Sequence, residues 1–554
     1  MLFTAPARAE WTPCARVETE SIQSLSYGVL AFCRRGNLNY NMLDLNQAIA
    51  RHLKLPNLSG INLRGNVSLH FLIDPDAPKA SQKTASLIIA ELSDNGITLL
   101  SALYNVYENK EEQPWGIAFS KPQQGYNGCE TLAVSLYNGK AYMSDNPSAI
   151  SWATRSGRPT IPLTNAGSGQ FLLTVNPTGL ATYLSCSTNM PLSLAASVPN
   201  TLIPTGILVN AVAKLPELAE NIDDLTLSMN ASGISINFTL NLTLKNETPG
   251  FTEQARMRPY ERWYSSLVPD NATFASIMDT SVQHGWRNYL GLTLNSIMPS
   301  FYDLIGNNLA GHVLTYLTQR HDGSGMIFVA IAKVSNPVEA QRLLAEKLHN
   351  YRLSSGLTIL RGENRRGGNN EINCFTLTNT VADASTPLLK METSTFNAIA
   401  NLLSRITVIE TAVSGVDLAL VAGPSGAIES VIEDLNSKRP PYLPLHERSR
   451  LLTQNFPSDN ATSITLFNPI ALLRQIITAL PGYKSDQLAA SIVPGDGAMA
   501  WSSTSKGKYT GTLRIAANEV EAIQTVMTSG RAAIQEFLLN MVMNQVLTAP
   551  ESQK

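Results

Sequence analysis

The feature that most constrains this chain is that its two halves repeat one order of elements. In the first half Val67–Ile73 reads as a strand, a turn rich in Pro, Lys and Gln follows, then Leu87–Leu92, and Ser93-Asp94-Asn95 opens a helix. In the second half Val313–Leu317 reads as a strand, a Gly-rich turn follows, then Ile327–Val334, and Ser335-Asn336-Pro337 opens a helix. Trp115–Phe119 is matched with Leu357–Leu360. The hairpin Tyr137-Asn138-Gly139-Lys140, with a short helix holding Ala149-Ile150, is matched with Val413–Val421 and Ala427-Ile428. Phe171–Val175 runs into Asn176-Pro177, as Ile464–Phe467 runs into Asn468-Pro469. Asn246-Glu247 and Asn518-Glu519 close the two series. Self-similarity of this kind predicts a duplicated architecture, with length differences absorbed by surface loops at small entropic cost.

The element types follow from periodicity. Ile234, Ile236, Phe238, Leu240, Leu242 and Leu244 alternate with Ser, Asn and Thr, which predicts a strand with one buried and one wet face. Ile428, Val431, Ile432 and Leu435 are spaced for one helix face. Pro147, Pro177, Pro337 and Pro469 suit a first helical turn, and each directly follows an Asn suited to cap it. Strand, hairpin and helix in repeated order predict an α+β fold of two duplicated halves, each a mainly antiparallel sheet with helices packed on one face. The expected division is 1–19 as a signal remnant and tail, 20–250 as the first repeat, 251–264 as a linker, 265–546 as the second repeat and 547–554 as a tail. A chain of 554 residues is long enough for such a plan.

Composition narrows the function classes. Hydrophobic residues make up 44% and charged residues 15%, which excludes a disordered chain. With 41 Lys plus Arg against 43 Asp plus Glu, no global field holds the protein on nucleic acid. Ala7-Arg8-Ala9 fits the small-x-small end of a secretory signal, so the expected location is periplasmic or secreted. No apolar run of about 18 residues follows, which predicts no transmembrane span and leaves peripheral membrane contact open. The five cysteines are scattered without a C-x-x-C pair, so neither zinc nor thiol redox chemistry is indicated.

Site chemistry is sparse. The chain carries no G-x-S-x-G, H-E-x-x-H, P-loop or G-x-G-x-x-G pattern, and no catalytic, cofactor or metal residue is assigned. Seven histidines are spread from His52 to His446 and read as ordinary strand or surface residues. Asp223-Asp224 fall on opposite faces of a strand, unsuited to an acid/base couple. Arg361-Gly362-Glu363-Asn364-Arg365-Arg366-Gly367-Gly368 is the concentrated basic run. Arg361, Arg365 and Arg366 are its candidate anion contacts, since guanidinium groups and free backbone donors suit phosphate. As an exposed hairpin loop the three could be replaced with little effect on stability. Aromatic residues cluster at Trp263, Tyr264, Trp286, Tyr289, Phe301 and Tyr302, as core or as the lining of an apolar groove.

With Ser335-Asn336-Pro337, Tyr137-Asn138-Gly139, the repeated halves and the export-like start, the chain resembles the large uncharacterised bacterial exported proteins built from two repeated α+β halves. That resemblance implies a fold and brings no catalytic residues. The expected function is a non-catalytic extracytoplasmic binding or envelope-assembly protein whose partner is an unknown protein or apolar ligand. The alternatives are a carrier of an apolar ligand or lipid in a groove between sheet and helices, and a hydrolase with a dispersed site.

Overall fold

The computed structural model describes residues 11–77, 84–124, 130–155, 170–186, 220–245, 259–279, 304–319, 325–351, 357–368, 370–379, 408–437, 441–449, 452–454, 456–457, 460–479, 485–505 and 508–530. The chain falls into two compact units, residues 1–252 with 505–512, and residues 253–504 with 513–554. The fold is mixed α and β, with antiparallel pairing throughout the assigned ladders. No helix among the described residues is long and apolar enough to cross a membrane.

The first unit runs β1 (Thr12–Thr19), α1 (Ile22–Arg35), α2 (Met42–His52), β2 (Val67–Ile73), β3 (Thr84–Glu91), α3 (Ile97–Tyr104), β4 (Tyr107–Gln113), β5 (Gly116–Pro122), β6 (Thr131–Tyr137), β7 (Lys140–Ser144), α4 (Pro147–Arg155), β8 (Phe171–Val175), α5 (Pro177–Cys186), β9 (Ile222–Ala231) and β10 (Ser235–Leu244). Its pairing order is β4-β5-β6-β7-β3-β2-β1-β8-β9-β10. Residues 12–19, expected as tail, are therefore a central strand between β2 and β8. The apolar and polar residues of Thr12–Thr19 are spent on two ladders, which a short terminal segment does not reveal by itself.

The second unit runs α6 (Arg262–Ser265), β11 (Phe274–Asp279), β12 (Leu309–Gln319), β13 (Met326–Val334), α7 (Pro337–Leu348), β14 (Leu357–Arg361), β15 (Arg365–Gly367), β16 (Asn370–Asn379), β17 (Val408–Ser414), β18 (Asp417–Gly423), α8 (Ala427–Asn436), α9 (Leu445–Arg448), β19 (Ala461–Phe467), α10 (Pro469–Ala479), α11 (Ser485–Ser491), β20 (Ala498–Ser505), β21 (Lys508–Ala516), whose residues 508–512 belong to the first unit, and α12 (Ala517–Thr525). Its pairing order is β14-β16-β17-β18-β13-β12-β11-β19-β20. The Ala516 N–H donates to the Gly497 carbonyl at 3.0 Å and closes the hairpin of β20 and β21. The expected linker 251–264 reaches into α6, where Tyr264 is buried and donates to Asp417.

Helices cover both faces of each sheet, not one. Leu87 and Ile88 are consecutive on β3 and point oppositely; Leu87 packs with Ala149 and Ile150 of α4, Ile88 with Leu99 and Leu103 of α3. On β13, Val329 packs with Ile428 and Val431 of α8, and Ala330 with Ala340 and Leu344 of α7. The cause is legible in Leu87–Ala90 and Leu418–Val421, whose unbroken apolar runs suit strands buried on both sides. β10 departs the other way. Leu240 and Asn241, on opposite faces, are both half-buried, and Asn241 is held by hydrogen bonds to Thr226 and Thr510 at 3.3 and 3.0 Å, so the expected contrast of one buried and one wet face is absent.

Candidate functional site

A cavity of about 340 Å³ lies between the sheet of the second unit and α8. Alternation on β12 sends Leu314, Tyr316 and Thr318 to one face, where Tyr316 pairs with Ala275 of β11 and Val329 of β13. The helix above starts at Gly426, whose φ of 88° is a left-handed conformation that glycine adopts without penalty. The buried carboxylate of Glu410 accepts from the Gly426 and Ile428 N–H groups at 3.1 and 3.3 Å and so caps α8. Ala427 and Val431 then face the sheet, and Ser430, Asp434 and Tyr442 complete the wall opposite Tyr316, Thr318, Ile327 and Val329.

The wall is chemically mixed. Tyr316 is 3% exposed, and burial, with Asp434 and Tyr442 nearby, pushes its phenol far above the ordinary range. Burial and then Glu433 push the Asp434 carboxyl up, and burial with Asp434 and Asp270 does the same to the Tyr442 phenol. Asn271 donates to the Gln319 carbonyl at 2.9 Å and accepts from Thr318 at 2.6 Å. Arg448 braces the neighbouring loop, donating to the carbonyls of Pro269 at 2.6 Å, Leu443 at 2.9 Å and Val268.

The basic run does not form one cluster. Arg365 donates to Glu410 at 2.6 Å and to Glu429 at 2.9 Å, and the pairing raises its own pKa and lowers that of Glu429. Arg361 ends β14 with an exposed side chain, and its N–H donates to His349 Nδ1 at 3.3 Å. Arg366 is exposed and pairs in register with Glu371. Of the sequence's aromatic cluster, Trp263 and Tyr264 join the core, while Trp286, Tyr289, Phe301 and Tyr302 lie outside the described residues.

A second polar feature lies in the first unit. His70 of β2 pairs in register with Arg16 of β1, and Arg16 with Thr174 of β8. His70 and Thr174 are each 2% exposed. Ser68 Oγ lies 3.1 Å from His70 Nε2, Arg16 pairs with Glu18, and His70 Nδ1, Arg16 Nε and Thr174 Oγ1 have no protein partner among the described residues. Ser68 and His70 alternate with Val67, Leu69 and Phe71, a pattern that reads as a wet face. It is buried because this sheet is covered on both sides.

Among the described residues no group of His, Cys, Asp and Glu is arranged to hold a metal ion. Burial raises the thiols of Cys33 and Cys374. Compared with known proteins, the chain matches no family model, no curated protein and no solved structure.

Proposed function

We propose that the chain is a non-catalytic extracytoplasmic binding protein, periplasmic or secreted, that takes a small ligand in the cavity between β12, β13 and α8. The observation that carries this reading is Tyr316, a nearly fully buried phenol whose side chain lines a cavity of about 340 Å³ beside Asp434 and Tyr442. Ligand sites are concave, largely apolar and equipped with a few polar groups, within a range of about 300–1,000 Å³. Ile327, Val329 and Val431 supply the apolar part here, and they equally support the second reading, a carrier of an apolar ligand. The buried ionic groups elsewhere in the unit serve the fold: Glu410 caps α8, and Glu519 caps α10 through the Ile470 N–H at 3.2 Å.

We also infer that the two units are duplicated α+β halves of the kind the resemblance implies. The pairing orders support it, with β1–β9 answering to β11–β14 and β16–β20 in sequence and β10 to β21. The registers support it too: Phe119 pairs with Leu132 as Phe375 pairs with Ile409, and both phenylalanines are fully buried. This matching aligns β5 with β16, rather than Trp115–Phe119 with Leu357–Leu360. An experimental structure in which Phe119 and Phe375 failed to superpose with their sheets would contradict it.

Native mass spectrometry of gently purified protein tests the binding reading. A bound small molecule that is absent from a Ser430→Trp variant, whose indole occupies the cavity, is the expected result. A bare mass for both would count against it.

A further inference from the structure

Tyr316, Tyr442, Asp434 and Glu433 together place two phenol rings and two carboxylates around one cavity, and no Lys, Arg or His lines it among the described residues. We propose that the cavity selects a small organic cation, an amine or alkylammonium group, with the tyrosines as its aromatic walls and Asp434 as its counter-charge. The inference rests on the cavity being a binding site, as argued above, and adds the chemical class of the ligand.

The selection follows from what each class of ligand would meet. An anion would face the carboxylates of Asp434 and Glu433 with no lining cation to offset them. A wholly apolar ligand would strip water from Asp434 and from the Tyr316 hydroxyl without returning a hydrogen bond or a charge, and such losses are unfavourable. Asp434 is already short of solvation, since burial raises its pKa and the neighbouring Glu433 adds repulsion. A cation reverses both effects and gains electrostatic attraction to the electron-rich aromatic rings.

Tyr316 adds to the geometry: the residue is 3% exposed overall and lines the cavity, and its hydroxyl is not among the enclosed polar atoms left without a partner, so the cavity reaches it. Asn271 and Thr318, by contrast, satisfy each other and the Gln319 carbonyl, so they shape the wall without calling for a ligand. Arg448 is nearby in the fold, yet its donors are committed to the carbonyls of Val268, Pro269 and Leu443, and its closest carboxylate is Asp270 at 3.5 Å.

Calorimetric titration of the full chain with choline and with the uncharged carbon isostere of choline tests the assignment. Choline should bind at least about tenfold more tightly than the isostere, since 1.4 kcal/mol corresponds to that factor. Asp434→Asn should remove the difference while the thermal midpoint stays within the range of ordinary surface variants, and Tyr442→Leu should weaken choline binding by a similar factor. Equal binding of the two probes would overturn the cation assignment and leave the cavity reading standing. Binding of neither would overturn it as well, and the cavity reading would then be judged separately by whether any compound protects wild type but not Ser430→Trp.

Discussion

His70 and Tyr316 each lie on a strand paired on both sides within their own sheets. His70 pairs with Arg16 of β1 and Leu87 of β3, and Tyr316 pairs with Ala275 of β11 and Val329 of β13. Their surroundings differ in kind. Ser68, Arg16, Glu18 and Thr174 make the position polar in the first unit, whereas Leu314, Ala275, Ile464 and Leu466 make it apolar in the second. The first sheet thus holds a buried imidazole in a polar row, and the second a buried phenol at the edge of a cavity.

The imidazole makes the first unit sensitive to acid. Burial, and then the Arg16 charge, lower the folded-state pKa of His70 from the ordinary 6.5 to about 4. The unfolded chain takes up this proton first, so the stabilisation is complete above about pH 6.5 and is lost as pH falls toward 4. Between about pH 7 and about pH 5 the loss should approach 2 kcal/mol. Urea denaturation at the two pH values should show a smaller loss in His70→Gln; an unchanged pH dependence would contradict the assignment.

The three arginines of the basic run should separate. Arg365→Ser leaves Glu410, 1% exposed, without its cation, although the Gly426 and Ile428 N–H groups still bind it. The cost should be about 1–3 kcal/mol in chemical denaturation. Arg361→Ser and Arg366→Ser should each stay within about 0.5 kcal/mol. Equal effects at all three positions would contradict the structural role of Arg365.

Glu519 should prove a stability residue. Its carboxylate is 1% exposed and accepts from the N–H groups of Ile470 and Gly497 at 3.2 and 3.1 Å. Glu519→Ala should cost about 2–3 kcal/mol by leaving buried donors unpaired, and Glu519→Gln about 1 kcal/mol because one oxygen remains. Denaturation midpoints that did not rank in this order would contradict the cap.

Much of the framework was legible because it is written locally. Asn176 and Asn468 were recognisable as caps before proline, and each accepts from the N–H three residues on, at 3.4 and 2.8 Å, while its own N–H joins the neighbouring strand. The Asn138-Gly139 turn has both φ values positive, 51° and 72°, as its dipeptide predicts. What was not legible depends on contacts between distant segments. Nothing near Arg365 indicates Glu410 or Glu429, and alternation at Ser68 and His70 cannot tell water from a covering layer. The cavity was hidden for the same reason: Tyr316 and Asp434 each read as an ordinary strand or helix residue, and only α8 packing over β12 and β13 brings them together. The half-buried Leu240 and the hydrogen-bonded Asn241 likewise reflect pairing with residues far along the chain.

The most direct measurement of the central claim is a thermal-shift screen of small molecules against wild type and Ser430→Trp in parallel. The account predicts that compounds carrying an ammonium group raise the wild-type midpoint progressively with the logarithm of concentration above the dissociation constant, as binding to the folded state requires, and leave the variant unmoved. Stabilisation of both proteins alike, or of neither by any compound, would contradict a ligand site between α8 and the sheet.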